Sequence, residues 1–336
     1  MKSIPNTFFL LLGVTWCAAL AAADAGAAWV AANFPTHSVV PLQVNIFGDG
    51  NPANGVEDDR IDMSSPDWND PSRRSWNMGA GTIHCEGKNR GSAIILDTSS
   101  LGGPVTGMIV ATSAHVVFDL EENRRFRSCR FHYMALDSLP GYQADIDLDA
   151  SVLGPFKPGK DRRQPEFGKH DWAFLYVPSP SAGINGSGRI RLMPFESLSH
   201  VDQSRVSFQF IAYSRSSGSI SISTRCSVAE STPQDLGGGA WRGQLLDNCD
   251  SEGGASGGGL VAAVDGQQFL VAIRSGAHWN SDAFPEKDYP RGPPDGSNWD
   301  VGSNTNFSRA IDLDLLDALA RMVDRLSAET QTRGRL

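Results

Sequence analysis

Residues 248–261 read NCDSEGGASGGGLV, and this stretch decides between two ways of folding the chain. Five glycines surround Ser256, and glycine permits backbone conformations and close approaches that other residues forbid. Ser256 is therefore a candidate exposed nucleophile, and the N–H groups of Gly254 and Ser256 are candidates for binding a developing oxyanion. The alternative interpretation is a flexible glycine loop without chemistry.

Residues 254–258 also match G-x-S-x-G, the nucleophile elbow of α/β-hydrolases. That fold needs an acid and then a histidine after the serine. His278 is the only histidine after Ser256, and it comes only 22 residues later, which is too short a distance for that fold. The order histidine, aspartate, serine is used instead by an arrangement built on β-barrels. The sequence before Ser256 supplies both partners, so chain order favours β-barrels.

His115 is the candidate general base. It follows an apolar stretch that ends in small residues, GMIVATSAHVVF over residues 107–118, and small neighbours would let its imidazole sit at the bottom of a cleft. The other histidines lie near the N-terminus or lack such a setting. The alternative is a structural histidine with satisfied hydrogen bonds.

Asp171 is the candidate orienting acid. It stands directly before an apolar stretch in HDWAFL, residues 170–175, where a carboxylate could hold one imidazole nitrogen and stabilise the imidazolium. An aspartate before a strand is ordinary, so its position between His115 and Ser256 is what makes it informative.

The remainder of the sequence predicts an all-β fold. Short β-branched and aromatic runs alternate with Gly, Pro, Asn and Ser, and no helical stretch separates them. We predict strands at 93–96, 108–112, 130–135, 145–153, 172–177, 206–213, 220–228, 260–264 and 269–273. One amphipathic helix is expected at 311–326, where leucines recur at helical spacing.

Composition and charge exclude several classes. The 336 residues are 40% hydrophobic and 20% charged, which excludes a disordered acidic chain and a coiled coil. The formal net charge of −9 provides no basic field for a phosphate backbone, so we expect no nucleic-acid partner.

The N-terminus predicts export. Lys2 precedes an apolar run over 8–23, FFLLLGVTWCAALAAA, and small residues follow it, as in a cleavable signal peptide at 1–23. A membrane anchor is the alternative, but the run is short of the roughly 20 residues that a spanning helix needs. We expect a secreted protein, extracellular or periplasmic, without a membrane partner after cleavage. Residues 24–75 show no sustained period and are interpreted as a pro-segment or an extended arm.

Cysteine usage fits an oxidising compartment. Without Cys17, which would leave with the signal, Cys85, Cys129, Cys226 and Cys249 remain. Four cysteines allow three pairings, and we favour Cys85 with Cys129 and Cys226 with Cys249 because each bridge then stays local. No two of them have the close spacing of a structural zinc site, so we predict no metal and no other cofactor.

Taken together, ATSAHVV (111–117), HDWAFL (170–175) and CDSEGGASGGGLV (249–261) resemble the three motif regions of trypsin-like serine peptidases of the chymotrypsin fold. The resemblance covers residues 76–326. It is nearest to the secreted bacterial branch around glutamyl endopeptidases, including the stretch 57–60 and the position of Cys249. It implies two six-stranded antiparallel β-barrels, at 76–190 and 191–327, with the C-terminal helix in the second and a tail at 328–336.

The resemblance also implies roles for residues. His115, Asp171 and Ser256 would be base, orienting acid and nucleophile, and Gly254 and Ser256 would form the oxyanion hole. Ser275 matches the family serine that lies beside the buried aspartate, and Ser275, Gly276 and Ala277 would bind the substrate backbone as an added strand. Asp250 stands where some family members carry the acid that binds Lys or Arg, although this aspartate is common in the bacterial branch without that role. Arg274 could attract an acidic side chain or face solvent, so basic, acidic and other preferences all stay open.

One departure concerns activation. Ala255 stands where animal family members carry an aspartate that pairs with the new N-terminus, so that switch cannot operate here. If the chain is a zymogen, removal of its pro-segment, with a cleavage placed near Val56, must act in another way. The expected function is a monomeric secreted serine endopeptidase acting on a protein or peptide. The alternatives are a catalytically silent binding protein of the same fold and a secreted esterase.

Overall fold

The computed structural model describes residues 59–62, 79–103, 105–133, 141–156, 166–178, 188–230, 243–279 and 304–333. Strands dominate these residues, and a long helix closes them. The signal segment 1–23, the proposed cleavage near Val56 and most of the arm lie outside the described residues.

The first sheet is antiparallel and holds seven strands in the order β8-β7-β2-β3-β4-β10-β9. Its strands are β2 Ala80–Cys85, β3 Lys88–Ile95, β4 Met108–Thr112, β7 Cys129–Tyr133, β8 Tyr142–Asp145, β9 Asp147–Leu153 and β10 Ala173–Val177. A separate hairpin is formed by β5 Phe118–Asp119 and β6 Arg124–Arg125. A short helix, α1 Glu166–His170, precedes β10.

The second sheet holds nine strands, eight of them in the order β1-β13-β12-β16-β17-β18-β15-β14, with β11 paired to β17. Its strands are β1 Arg60–Asp62, β11 Arg191–Leu192, β12 Val206–Ser214, β13 Ser219–Cys226, β14 Val228–Glu230, β15 Gln244–Asp247, β16 Gly259–Val264, β17 Gln267–Trp279 and β18 Asn304–Ala310. The helix α2 Leu313–Arg333 follows β18.

Three apolar cores explain this arrangement. One lies within the first sheet around Val110, Phe131 and Leu175, and another lies within the second sheet around Phe210 and Leu260. The third joins both sheets to α2, and its members include Ile94, Phe174, Ile211, Val261, Leu315 and Leu319. Since strand side chains alternate between faces, each sheet supplies one face to its own core and the other to the shared core.

The predicted all-β fold with a C-terminal helix is confirmed. The sheets hold seven and nine strands where the resemblance implied six each, because the arm adds β1 and short strands extend the edges. The helix begins at Leu313 and continues to Arg333, so much of the predicted tail at 328–336 is helical. The predicted barrel boundaries at 76–190 and 191–327 stay predictions.

Several strands escaped the sequence pattern. Residues 305–310 of β18 are buried although their sequence TNFSRA is largely polar, and QLLD of β15 is buried as well. Burial on both faces removes the alternation that marks a strand. The strand β1 also lies in the arm that showed no period, and it pairs antiparallel with β13.

Two disulfides join Cys85 to Cys129 and Cys226 to Cys249, as favoured from the sequence. The first links the directly paired ends of β2 and β7. The second ties Cys226, at the end of β13, to Cys249, which lies two residues after the end of β15. In the part of the chain that the structure describes, no helix is long and apolar enough to cross a membrane.

Candidate active site

His115 sits in a single 3-10 turn, Ala114–Val117, directly after strand β4. Its neighbours Ala114, Val116 and Val117 are buried, and the N–H of Val116 donates to the carbonyl of Ser113 at 3.2 Å. Packing on both sides of His115 fixes the backbone, and only 8% of the residue is exposed. The histidine is thus held at the end of a buried strand, in the setting that the sequence pattern predicted.

Asp171 reaches His115 because of strand register. In the antiparallel pair of β10 and β4, Ala173 lies opposite Thr112, so the residue two before Ala173 falls beside the turn after Thr112. Asp171 is fully buried. Its Oδ1 accepts a hydrogen bond from the backbone N–H of His115 at 2.8 Å, and its Oδ2 lies 2.7 Å from His115 Nδ1.

This contact fixes the tautomer of the imidazole. An ionised carboxylate only accepts hydrogen bonds, so Nδ1 of His115 carries a proton and donates it to Asp171. In the neutral ring, Nε2 is then the acceptor. A histidine held this way is prepared to take a proton at Nε2 and to be stabilised as the cation by the buried carboxylate.

The loop that carries Ser256 packs against the same strands. The backbone N–H of Ser92, in β3, donates to the carbonyl of Ser256 at 2.7 Å, and the N–H of Gly257 donates to the carbonyl of Arg274 at 2.9 Å. The hydroxyl of Ser113, two residues before His115, donates to that same carbonyl of Arg274. The structure therefore brings His115 and Asp171 into contact and places the half-buried Ser256 on a loop beside them.

Gly257 shows how tightly this loop is pressed against the first sheet. Its φ is +80°, and a Cβ there would clash with Thr112 Oγ1 and the Ser92 carbonyl and lie 3.0 Å from the Ser113 nitrogen. Only glycine fits this combination of backbone angle and contact. At Gly257 the glycine is thus required by packing.

Ser92 contacts the loop of Ser256 in a way that the sequence did not reveal. Its hydroxyl donates to the carbonyl of Gly254 at 2.8 Å and accepts from the N–H of Tyr213 at 2.8 Å. Together with its own backbone bond to Ser256, this fully buried serine links β3 and β12 to residues 248–258, the loop of the candidate nucleophile, called the nucleophile loop below. A serine inside a strand is common, so nothing in the sequence singled it out.

The two amides proposed for the oxyanion hole have no competing acceptor. Within the described residues, neither the N–H of Gly254 nor that of Ser256 donates to a protein group. Gly254 has a φ of +103°, a backbone angle that favours glycine. Neither N–H group is therefore held by an acceptor among the described residues.

The residues predicted to bind the substrate backbone lie near the end of β17. Ser275, Gly276 and Ala277 are buried, and the ladder to β18 shifts register at Ser275. The Ser275 hydroxyl makes no hydrogen bond to Asp171 or to any other residue that the structure describes. On the other side of β17, the pairing with β16 stops at Ile273.

The two candidates for side-chain recognition both have partners. Arg274 is fully buried and donates from Nη1 and Nη2 to the carboxylate of Asp247 at 2.9 and 2.8 Å, with its guanidinium carbon 4.2 Å from the centre of the Phe210 ring. Asp250 Oδ2 accepts the backbone N–H of Asp59 at 2.8 Å. Arg274 therefore does not face solvent, and its carboxylate partner comes from the chain itself.

Glu252 is a second residue that the sequence did not single out. Its carboxylate accepts hydrogen bonds from the hydroxyls of Ser214 and Ser216 and from the N–H of Ser216 at 2.7 Å, and it lies 3.2 Å from Arg60 Nη1. Burial raises the pKa of this carboxyl, but these hydrogen bonds and the Arg60 charge outweigh it, so the pKa lies below its usual range. Glu252 is thus a buried, charged anchor at the start of the nucleophile loop.

Comparison with known proteins gives a likeness of fold. No family model and no curated protein matches the chain. Among solved structures 407 chains match, and one of them is described as the structure of Glu endopeptidase in complex with MPD. It has a TM-score of 0.49 and 11% identity, with 81% of this chain and 98% of that chain covered. A likeness with so low a sequence identity gives no information about activity.

Proposed function

We propose that the chain is a secreted serine endopeptidase of the trypsin-like kind, with His115, Asp171 and Ser256 as its triad. The observation that carries the proposal is the buried pair of His115 and Asp171, with Nδ1 and Oδ2 2.7 Å apart, beside a loop that presents a serine and two available amides. The three motifs were identified independently in the sequence, in the chain order that this chemistry uses.

The reaction follows from these groups. His115 Nε2 takes the proton of Ser256 Oγ as the oxygen attacks the carbonyl carbon of the scissile bond. The N–H groups of Gly254 and Ser256 hold the negative oxygen of the tetrahedral intermediate. His115 then gives the proton to the leaving amine, and an acyl-enzyme forms. Water, activated by the same histidine, hydrolyses the ester and regenerates Ser256.

An extended peptide is the substrate form that the site favours. Beyond Ile273, β17 pairs with β18 on one side, and no described strand continues the β16 pairing on the other. A substrate segment adding to residues 275–277 would make main-chain hydrogen bonds and lie across the cleft. Cleavage of a peptide library would show whether the site prefers a basic, an acidic or another substrate side chain.

Export is the proposed setting. Two disulfides are typical of proteins that fold in oxidising compartments, and they agree with the predicted signal at 1–23. We expect a monomer that acts on protein or peptide substrates.

The test is a fluorophosphonate probe applied to the secreted, processed protein, since this probe reacts with activated serines. Ser256→Ala should abolish labelling, and His115→Ala should slow it strongly. Ser251→Ala is the matched control, because Ser251 lies in the same loop, is buried, and should leave labelling unchanged.

Two other outcomes identify the alternatives. A processed protein that takes no label would be the silent binding protein. A protein that is labelled at Ser256 and hydrolyses small esters but no peptide or protein would be the esterase.

A further inference from the structure

A short part of the N-terminal arm is built into the second sheet. Residues Arg60–Asp62 form β1 and pair with Ser221, Ile222 and Ser223 of β13. The Asp59 carboxylate accepts hydrogen bonds from the Ser223 hydroxyl at 2.6 Å and from the Thr224 N–H at 2.9 Å. These contacts make residues 59–62 part of the folded second sheet.

The same segment makes two contacts with the start of the nucleophile loop. The backbone N–H of Asp59 donates to Asp250 Oδ2 at 2.8 Å. The guanidinium of Arg60 pairs with the Glu252 carboxylate at 3.2 Å, and their side chains are only 11% and 10% exposed. The arm thus contacts the loop at its first acidic residue and again two residues later.

Glu252 connects these contacts to the residues that would do chemistry. The N–H of Ala255 donates to the Glu252 carbonyl at 3.0 Å, which closes a turn over Gly253 and Gly254 just before Ser256. Glycines leave such a turn many alternative conformations, so its shape depends on fixed ends. One end is held by Ser92, and the other is held by Glu252 with its partners Arg60, Ser214 and Ser216.

We propose that Asp59 and Arg60 are positioning residues that hold the turn 252–255, and with it the Gly254 amide, in the shape that binds an oxyanion. This proposal rests on the proposed function of the same site. An internal arginine would then supply the cation that fixes the loop, in a chain whose Ala255 offers no carboxylate for a new N-terminus. It follows that residues 59–62 are retained in the active protein and that any processing occurs before Asp59.

The kinetic experiment compares Arg60→Gln with Arg205→Gln in the secreted protein. Arg205, directly before β12, pairs with Asp265, directly after β16, and both side chains are more than half exposed, so it is the matched control for losing an arginine ion pair. Misplacing a catalytic group by a small distance costs up to about 100-fold in rate, so we expect Arg60→Gln to lower kcat at least about tenfold with KM little changed. Arg60→Lys, which keeps the charge, should recover most of the rate.

A second readout does not depend on activity. Hydrogen exchange of the amides in residues 252–258 should become faster in Arg60→Gln and stay unchanged in Arg205→Gln. Unchanged exchange and unchanged kcat in Arg60→Gln would overturn the proposal. If the wild-type protein takes no fluorophosphonate label, the proposed function fails, and exchange alone then decides whether Arg60 holds the loop.

N-terminal sequencing of the labelled, mature protein completes the test. A first residue at or before Asp59 supports the proposal. An active form that begins after Asp59 would overturn it, whatever the kinetics of the variants.

Discussion

Asp171 binds His115 twice, through the backbone N–H at 2.8 Å and through ring Nδ1 at 2.7 Å. The two bonds share one fully buried carboxylate, so the position of the histidine backbone and the orientation of its ring are set together. Such a carboxylate fixes the tautomer of the imidazole and stabilises the imidazolium.

Replacing that carboxylate should therefore remove catalysis without removing the fold. In Asp171→Asn the side chain keeps its size, but its amide can stabilise the wrong tautomer of His115, and we expect kcat to fall by about 1,000- to 10,000-fold. Peptide hydrolysis gives the rate, and circular dichroism checks folding. Asp149→Asn, at a side chain that is 92% exposed, should keep wild-type activity. A loss of less than tenfold in Asp171→Asn would contradict the assigned role.

Gly257→Ala tests whether the loop needs its glycine for space. We expect a larger loss in the free energy of unfolding than the roughly 1–2 kcal/mol that a left-handed backbone angle costs a non-glycine residue, because the added methyl group also meets Thr112 and Ser92. The matched control is Gly266→Ala, where φ is +77° and nothing lies within 4 Å of an added Cβ. Urea unfolding of both variants separates the two costs, and equal losses would show that packing at Gly257 is unimportant.

The buried pair of Arg274 and Asp247 should be a structural element. Arg274→Met leaves a buried carboxylate without its cation, and we expect a loss of about 3–5 kcal/mol in the free energy of unfolding. The double variant Arg274→Met with Asp247→Leu should recover most of it, since no lone charge is then buried. Chemical denaturation measures both. If the double variant is stable but has a changed preference for acidic peptides, Arg274 also serves recognition.

A stacked histidine pair should make stability depend on pH. The rings of His84 and His132 lie 3.8 Å apart with an angle of 2° between them. Burial lowers the pKa of both, and for His132 burial, the His84 charge and the Arg130 charge together lower it to about 4. Below about pH 6.5 the two histidines take up protons in the unfolded chain but not in the folded protein. The free energy of unfolding is therefore highest above about pH 6.5 and decreases as the pH falls towards 4.

The measurement is the urea midpoint between pH 7 and pH 4. The decline should be shallower in His132→Gln than in the wild-type protein, because one of the two groups is gone. His200→Gln, at an exposed side chain, should follow the wild-type curve. Parallel curves for all three proteins would exclude the pair as a source of acid sensitivity.

Local sequence patterns were sufficient to predict the class of fold and the order of the chemical groups along the chain. Strand length, turn residues and the lack of intervening helices predicted an all-β chain, since these patterns are local and depend on which face of each strand is buried. Local patterns also predicted the C-terminal helix, which extends further than expected, and strand β4, whose predicted bounds 108–112 are the observed ones. His115, Asp171 and Ser256 could be named because each lies in a short segment with its own signal.

Tertiary structure alone decided what those residues contact. Register between β4 and β10 put Asp171 beside His115, and the bonds of Ser92 and Arg60 to the nucleophile loop join residues that are far apart in the chain. The sequence also left Arg274 as a candidate for substrate recognition, but folding buried it against Asp247. Such pairings depend on how the two sheets pack together. A local sequence pattern cannot predict them, because a polar residue is expected at the surface unless its buried hydrogen-bond partner is known.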